Sequence, residues 1–336
     1  MLLFVILYHL NEFLAPNGYL GVDLFFVISG FVITKTILKD KERTGKIKLI
    51  SFFVRRLKRI YPALIIMILV TLLLLPYFGL LNVSNFHFYV KTAITSIFGI
   101  SNIFLIYKND NYFLNEENNP FTHTWSLGVE EQFYLLFPLL IWFTGFSKKN
   151  HNSTRNMIMV LTPITIISLF LFLFFYENNH PAAYFLMPNR FWEMSLGSLI
   201  FLLQRYEILA LKKISKISPN LILFLLILSL FIPVIYAKFS TLLVVFLTLL
   251  LIITLKKGSF SYKILTKNNV VYIGLISYSL YLWHWGILAL SRNTIGIYWW
   301  TWPFQVLLII LCSVISYEYI EKKFKKFKFQ STRLIS

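Results

Sequence analysis

The sequence has little cysteine and little charge. Its single cysteine, Cys312, excludes a disulfide within the chain, and we expect this side chain to pack between helices. Only 14% of the 336 residues are charged, whereas 57% are hydrophobic. A soluble domain of this length could not hide so much apolar surface, so the composition predicts a polytopic membrane protein.

Acidic residues are the scarcer charged class, with 14 of them against 32 lysines and arginines and a formal net charge of +18. Nucleic-acid-binding proteins also carry such a charge, but no RNA- or DNA-binding motif accompanies it here. Most basic residues lie in five short segments at the ends of apolar spans: 35–59, 147–155, 205–216, 256–267 and the stretch from Lys322 onwards. This distribution argues against nucleic acid as a partner and is typical of cytoplasmic loops.

The apolar segments predict an all-α transmembrane helix bundle of about ten crossings. They lie near 1–14, 19–38, 60–81, 123–146, 157–176, 190–204, 219–236, 239–255, 270–290 and 301–320. The stretch 86–107 is long enough to cross but contains Lys91 and several polar residues. The basic segments share one side of the membrane only if this stretch makes no net crossing, so we predict a re-entrant or interfacial segment there. Both termini are then cytoplasmic and 108–122 is external.

Polar and ionisable side chains interrupt several spans, although an acid near a helix centre costs roughly 2.5–3.5 kcal/mol on insertion scales. On four helices they recur at spacings of three or four residues, which places them on one stripe of each helix. We therefore expect a shared interior cavity. Its candidate lining residues are Asp23, Trp125, Ser126, Glu131, Tyr134, Arg190, Glu193, Ser277, Tyr281, His284 and Glu321.

Structural interpretations of the same residues stay open at this point. Arg190 and Glu193 are equally well explained as an ion pair that locks two helices together. The aromatic residues within 278–285 also fit a belt at the membrane interface, and Asp23 fits a position at the outer headgroup level. The basic cluster at 55–59 would anchor the topology of any membrane protein.

Five motifs follow one another along the chain. They read GYLGVDLFFVISGFVIT, SFFVRRLKRIYPAL, HTWSLGVEEQFYLLFPLL, NRFWEMSLGSLI and ISYSLYLWHWGI. Together, in this order and over almost the whole chain, they resemble the acyltransferase-3 family of integral membrane O-acyltransferases. The resemblance implies an acyltransferase-3 transmembrane domain over 1–329 and a short cytoplasmic tail at 330–336.

The resemblance also implies a function. Members of the family move acyl groups, usually acetyl from cytoplasmic acetyl-CoA, to hydroxyls of carbohydrates beyond the membrane, such as O-antigen, peptidoglycan or exopolysaccharide. We therefore expect a multi-pass enzyme of the bacterial inner (plasma) membrane, surrounded by lipid. Acetyl-CoA would be its co-substrate, with no permanently bound cofactor and no metal.

Matching the family's motifs gives roles to individual residues. Arg56 and Arg59 match an R-x-x-R motif and, with the neighbouring Arg55, would hold the phosphates of the donor. His9 matches the essential histidine of the first helix, which would act as a general base or carry the acyl group briefly. Glu130 matches the acid of a W-S-L-x-x-E motif and would orient His9.

The chain also departs from the family pattern. An arginine that normally stands eleven residues before the histidine would precede Met1, so the first helix is expected to be truncated. The motifs are closest to the subclass that carries an SGNH domain. We expect this chain to have no SGNH domain, and a separate SGNH-type protein is therefore an expected partner. Two alternatives stay open, namely an inactive truncated acyltransferase and a transporter or flippase for a lipid-linked sugar or acyl group.

Overall fold

The computed structural model describes residues 2–45, 48–78, 83–108, 119–144, 152–205 and 209–326. The predicted tail at 330–336 lies outside this part of the chain, as do 109–118 of the predicted external segment and 147–151 of the predicted cytoplasmic segment 147–155. The α-helices are α1 (Leu2–Leu10), α2 (Gly21–Thr44), α3 (Leu49–Leu74), α4 (Val83–Ile97), α5 (Ser101–Tyr107), α6 (Trp125–Phe143), α7 (Asn152–Asn178), α8 (His180–Phe185), α9 (Met187–Arg205), α10 (Leu209–Ile214), α11 (Pro219–Ser229), α12 (Ala237–Thr254), α13 (Phe260–Leu265), α14 (Asn268–Arg292), α15 (Trp302–Ile315) and α16 (Lys322–Lys326).

The all-α membrane bundle is confirmed. Each of the ten predicted apolar segments contains a helix. Six helical segments within the described residues are long and apolar enough to cross a membrane: Gly18–Thr44, Leu49–Leu74, Thr154–Asn178, Val234–Thr254, Asn268–Arg292 and Trp302–Lys326. The count of ten crossings and the orientation of the termini stay predictions.

The stretch 86–107 does not form one continuous helix. It is divided between α4 and α5 by a break at Gly99, whose φ of 68° lies in the left-handed region that favours glycine. A Cβ atom at Gly99 would lie 2.3 Å from Oε2 of Glu131, so a side chain here would displace that carboxylate. The amide of Gln132 donates to the buried Gly99 carbonyl over 3.0 Å and so satisfies a backbone group at the break.

Helices α2 and α9 approach each other closely. A Cβ atom at Gly30 would lie 1.8 Å from the carbonyl oxygen of Met194, and one at Gly197 would lie 2.0 Å from that of Val27. Ser198 donates to the Gly30 carbonyl over 3.2 Å. Small residues thus let the two backbones meet directly, as they commonly do between membrane helices.

A π-helical segment, Ser316–Glu321, joins α15 to α16. It places the buried Glu321 against α14, where Ser279 donates to its carboxylate. One residue earlier on α14, the Tyr278 hydroxyl donates to the Ile60 carbonyl of α3 over 2.8 Å. These contacts fix α14 between α3 and the end of α15, and they set the position of the arginines of α3.

Candidate functional site

Three buried histidines from separate parts of the chain form a cluster, which we call the histidine centre. His9 lies near the end of α1, His123 in the 3₁₀ turn before α6, and His284 in α14. The ring centroid of His284 is 5.6 Å from that of His9 and 5.7 Å from that of His123. Their exposed fractions are 6%, 1% and 0%, so the centre is closed off from the surroundings.

Trp285 forms one wall of the histidine centre. Its ring lies 4.7 Å from that of His9 and stacks on His123 at 6.1 Å. The indole nitrogen donates to the carbonyl of Asn119 over 2.7 Å, which fixes the ring. Arg292 lies over the same indole at 5.4 Å and donates to the His9 carbonyl over 3.2 Å, so the end of α1 is held against α14.

Polar contacts continue from the histidine centre along one face of α6. The Tyr281 hydroxyl lies 2.6 Å from both the Ser126 hydroxyl and the His123 carbonyl. Further along the same face, Glu130 accepts hydrogen bonds from Ser29 and Tyr134. The residues His123, Ser126, Glu130 and Tyr134 follow one another at intervals of three or four positions, so this polar face is about 16 Å long.

The structure does not bring Glu130 to His9. Along α6, Glu130 lies about two helical turns from His123. Within the described residues its hydrogen bonds go to Ser29 and Tyr134, while the ring neighbours of His9 include His284 and Trp285. The direct contact expected from the sequence between His9 and Glu130 is therefore not formed.

The three arginines of α3 have different surroundings. The Arg56 guanidinium lies 4.9 Å over the ring of Tyr134, at the far end of the polar face from the histidine centre. Arg59 lies near enough to Glu321 to interact with its charge. Arg55 instead pairs with Asp40 of α2 and is about half exposed.

A pocket of about 160 Å³ opens beside Arg56. Its walls include Tyr61, Glu131, Gln132 and Tyr134, and apolar side chains of α3 and α6 complete it. Glu131 accepts a hydrogen bond of 3.2 Å from Tyr61, but its other carboxylate oxygen is buried without a hydrogen-bond partner in the described chain. Glu131 thus belongs to this pocket and not to the polar face that contains Glu130.

A second buried polar group, the ion triad, joins α2 to α9. The Arg190 guanidinium contacts Asp23 at 2.7 Å and Glu193 at 2.6 Å. It also lies over the rings of Tyr184, at 4.9 Å, and Trp125, at 5.8 Å. An ion pair that locks two helices was one open explanation of Arg190 and Glu193, but both residues lie on α9, and the pair that joins two helices is Arg190 with Asp23.

His180 lies beside the ion triad in a narrow pocket that Arg190 and Tyr184 also line. Burial lowers the pKa of His180, and the positive charge of Arg190 lowers it further. We therefore expect a neutral His180 ring at pH 7. The ring stacks on that of Tyr184 at a centroid distance of 6.5 Å.

Some residues of the site were not predicted from the sequence, and one predicted residue lies away from the histidine centre. His123 was missed, although it begins the HTWSLGVEE motif, because nothing in that motif shows which elements its ring will face. Ser29 was missed because its partner, Glu130, lies 101 residues away in the chain. Ser277 donates to the Gly274 carbonyl of its own helix over 2.8 Å and is not brought to the histidine centre.

Fold and site together define a polytopic membrane protein in which one polar helix face connects a buried histidine centre to an arginine. The chain belongs to the acyltransferase-3 family, because the family model, described as an acyltransferase domain, matches residues 2–318.

Two relatives illustrate the similarity. The chain is 36% identical over 349 residues to "O-acetyltransferase OatA" of Staphylococcus aureus strain NCTC 8325 / PS 47, an alignment that covers 97% of this chain and 56% of the relative. It is 33% identical over 343 residues to "Putative O-acetyltransferase SACOL0978" of S. aureus strain COL, covering 96% of this chain and 55% of the relative. The chain therefore spans about half the length of these curated relatives. No solved structure matches it.

Proposed function

We propose that this chain is a membrane O-acyltransferase that moves an acyl group, most simply acetyl, from cytoplasmic acyl-CoA to a carbohydrate hydroxyl. Family membership and two O-acetyltransferase relatives support the reaction class. The acceptor class is the exported or cell-envelope glycan expected from the family resemblance. The six apolar helices fit a multi-pass protein, which we assign to the inner (plasma) membrane with cytoplasmic termini.

The observation that carries the proposal is the polar face of α6, which extends from Arg56 and Tyr134 to the histidine centre. A donor whose phosphates bind at the predicted cytoplasmic end of α3 would have its acyl end directed along this face. A guanidinium suits phosphate because it presents several donors in a planar arrangement. We assign donor phosphate binding to Arg56 and Arg59. Arg55 has a weaker claim because it already pairs with Asp40.

At the other end of the face, we propose that His9 acts on the acceptor hydroxyl. The ring removes the hydroxyl proton as the oxygen attacks the thioester carbonyl carbon. When the carbon–sulfur bond breaks, the thiolate of CoA takes this proton. Ser126 and Tyr281 line the route between donor and histidine, and Glu130 holds Tyr134 and Ser29 on its wall.

The test is transfer by the purified chain in proteoliposomes. Acetyl-CoA with a labelled acetyl group is supplied on one side, and a soluble peptidoglycan fragment on the other. We expect labelled glycan and free CoA in equal amounts, and His9→Ala should stop both. Movement of an intact glycan across the bilayer without acetylation would contradict the proposal and favour the transporter alternative.

A further inference from the structure

His284 has one ring nitrogen fixed by the backbone and the other without a partner. Its Nδ1 atom lies 2.6 Å from the carbonyl oxygen of Tyr281. Because a carbonyl only accepts hydrogen bonds, Nδ1 carries the hydrogen, and Nε2 of the neutral ring is left with its lone pair. Nε2 is buried and has no hydrogen-bond partner within the described residues.

A histidine that only filled space would be expected to satisfy this nitrogen, because an unpartnered buried acceptor destabilises the fold. Helix α14 instead holds the ring so that its tautomer is set and a buried lone pair is left on Nε2. The ring of His9 is a neighbour of the His284 ring, at a centroid distance of 5.6 Å and an interplanar angle of 34°. This separation allows the two imidazoles to share a proton with little movement of either ring.

We propose that His284 is the proton-sharing partner of His9 in the acyl-transfer reaction. The inference rests on the proposed function. It gives His284 the role that the sequence suggested for Glu130, since that carboxylate hydrogen-bonds to Ser29 and Tyr134. His284 is a positioning residue in this scheme, because it acts through His9 and not on the substrate.

The proton movements balance through the reaction. As the carbon–oxygen bond forms, the acceptor hydroxyl gives its proton to one nitrogen of His9. The hydrogen on the opposite nitrogen of His9 is then shared with Nε2 of His284, which spreads the positive charge of the imidazolium over two rings. When the carbon–sulfur bond breaks, the CoA thiolate takes the transferred proton and both imidazoles return to their neutral forms.

The test is a double-mutant cycle on the full chain in the same proteoliposomes, with His284→Ala, His9→Ala and the double variant. We expect His284→Ala to lower kcat on the order of 10²-fold, near the lower end of a general-base contribution, without changing the KM for acetyl-CoA. The double variant should be hardly slower than His9→Ala alone, since residues that act as a unit are non-additive.

Two further variants separate proton sharing from packing. His284→Gln should retain more activity than His284→Leu, which has a similar bulk but accepts no hydrogen bond, because the glutamine side-chain oxygen can accept a hydrogen bond from His9. His87→Ala, at an exposed position of α4, is the matched control and should behave as wild type. If His284→Ala loses its fold, its binding of acetyl-CoA should fall as well. The activity of His284→Gln would then decide between proton sharing and packing.

Distinct results separate the failure of this inference from that of the function on which it rests. If the wild-type protein is active and His284→Ala keeps full activity, the inference alone is overturned. It is also overturned if the rate losses of His9→Ala and His284→Ala multiply in the double variant. Wild-type protein that binds acetyl-CoA but never transfers the acetyl group would overturn the proposed function, and the inference with it.

Discussion

The ion triad and the histidine centre both bury polar side chains in an apolar bundle, but the side chains of the two groups make different polar contacts. In the ion triad, Arg190 meets one carboxylate oxygen of Asp23 and one of Glu193 at ordinary ion-pair distances. The remaining oxygen of each carboxylate has no hydrogen-bond partner within the described chain. In the histidine centre, both ring nitrogens of His123 and one of His284 have no hydrogen-bond partner within the described residues.

The difference separates scaffold from site. In the ion triad, Arg190 attracts an acidic side chain of each helix, Asp23 of α2 and Glu193 of α9, at an interface where Gly30 and Gly197 let the two backbones touch. The rings of the histidine centre are held by backbone and aromatic contacts, while ring nitrogens of His123 and His284 have no hydrogen-bond partner within the described residues. We therefore expect changes in the triad to act on folding and changes in the centre to act on catalysis.

The largest effect is expected from His9→Ala. Loss of a general base typically lowers the rate by about 10²–10⁴-fold, and the backbone carbonyl of residue 9 that accepts from Arg292 is kept in the variant. The acetyl-transfer rate per folded molecule should fall by that factor, while the amount of protein in the membrane stays at the wild-type level. Protein that is lost in proportion to the activity would place His9 in the scaffold instead.

Arg190→Met comes next and should act on stability. Removing one partner of a buried ion pair costs about 3–5 kcal/mol, because here two carboxylates would be left without their cation. We expect low abundance in membranes and a lower unfolding temperature in detergent.

The matched control for Arg190→Met neutralises the whole triad, with Asp23→Asn and Glu193→Gln added to Arg190→Met. It should regain part of the stability because no unpaired charge remains. A stable Arg190→Met protein that is inactive would mean that the triad belongs to the site.

Gly30→Ala should have an intermediate effect. The added methyl would lie 1.8 Å from the backbone oxygen of Met194, so the helices would have to separate. Overpacking of this kind costs about 1–3 kcal/mol. Thermal unfolding in detergent measures the loss, and Gly274→Ala is the control because its Cβ would have nothing within 4 Å. Equal stability of the two variants would contradict the close helix pairing.

Arg56→Lys should have the smallest effect. Lysine keeps the charge but loses the planar set of donors, so acetyl-CoA affinity should fall on the order of tenfold. Equilibrium binding of labelled acetyl-CoA to purified protein measures this change. Arg55→Lys is the matched control because Arg55 already pairs with Asp40. Unchanged affinity in Arg56→Lys and a loss in Arg55→Lys would reverse the two assignments.

Much of the fold could be predicted from the sequence because apolar length and the placement of basic residues are local signals. They located a helix in every predicted span and marked 86–107 as unusual, and the structure divides that stretch at Gly99. Contacts between residues of different helices were harder to predict from the sequence. Asp23 and Arg190 are 167 residues apart, and no local pattern encodes their contact.

The candidate site shows the same limit. Helical spacing correctly grouped Ser126, Glu130 and Tyr134 on one face of α6, because that spacing depends on a single helix. It could not show that His9 meets His284 and not Glu130, since this depends on how α1 and α14 pack. It also extended the α14 stripe to Ser277, whereas Tyr278 and Ser279 contact α3 and the π-helical segment.

The division between scaffold and site is tested most directly by measuring acetyl transfer per folded molecule for His9→Ala and Arg190→Met side by side. Ligand-independent unfolding in detergent gives the folded fraction, and labelled glycan gives the rate. We predict that His9→Ala is folded and nearly inactive, whereas the folded fraction of Arg190→Met transfers at close to the wild-type rate. Folded Arg190→Met that is inactive, together with His9→Ala that keeps its activity, would contradict the account.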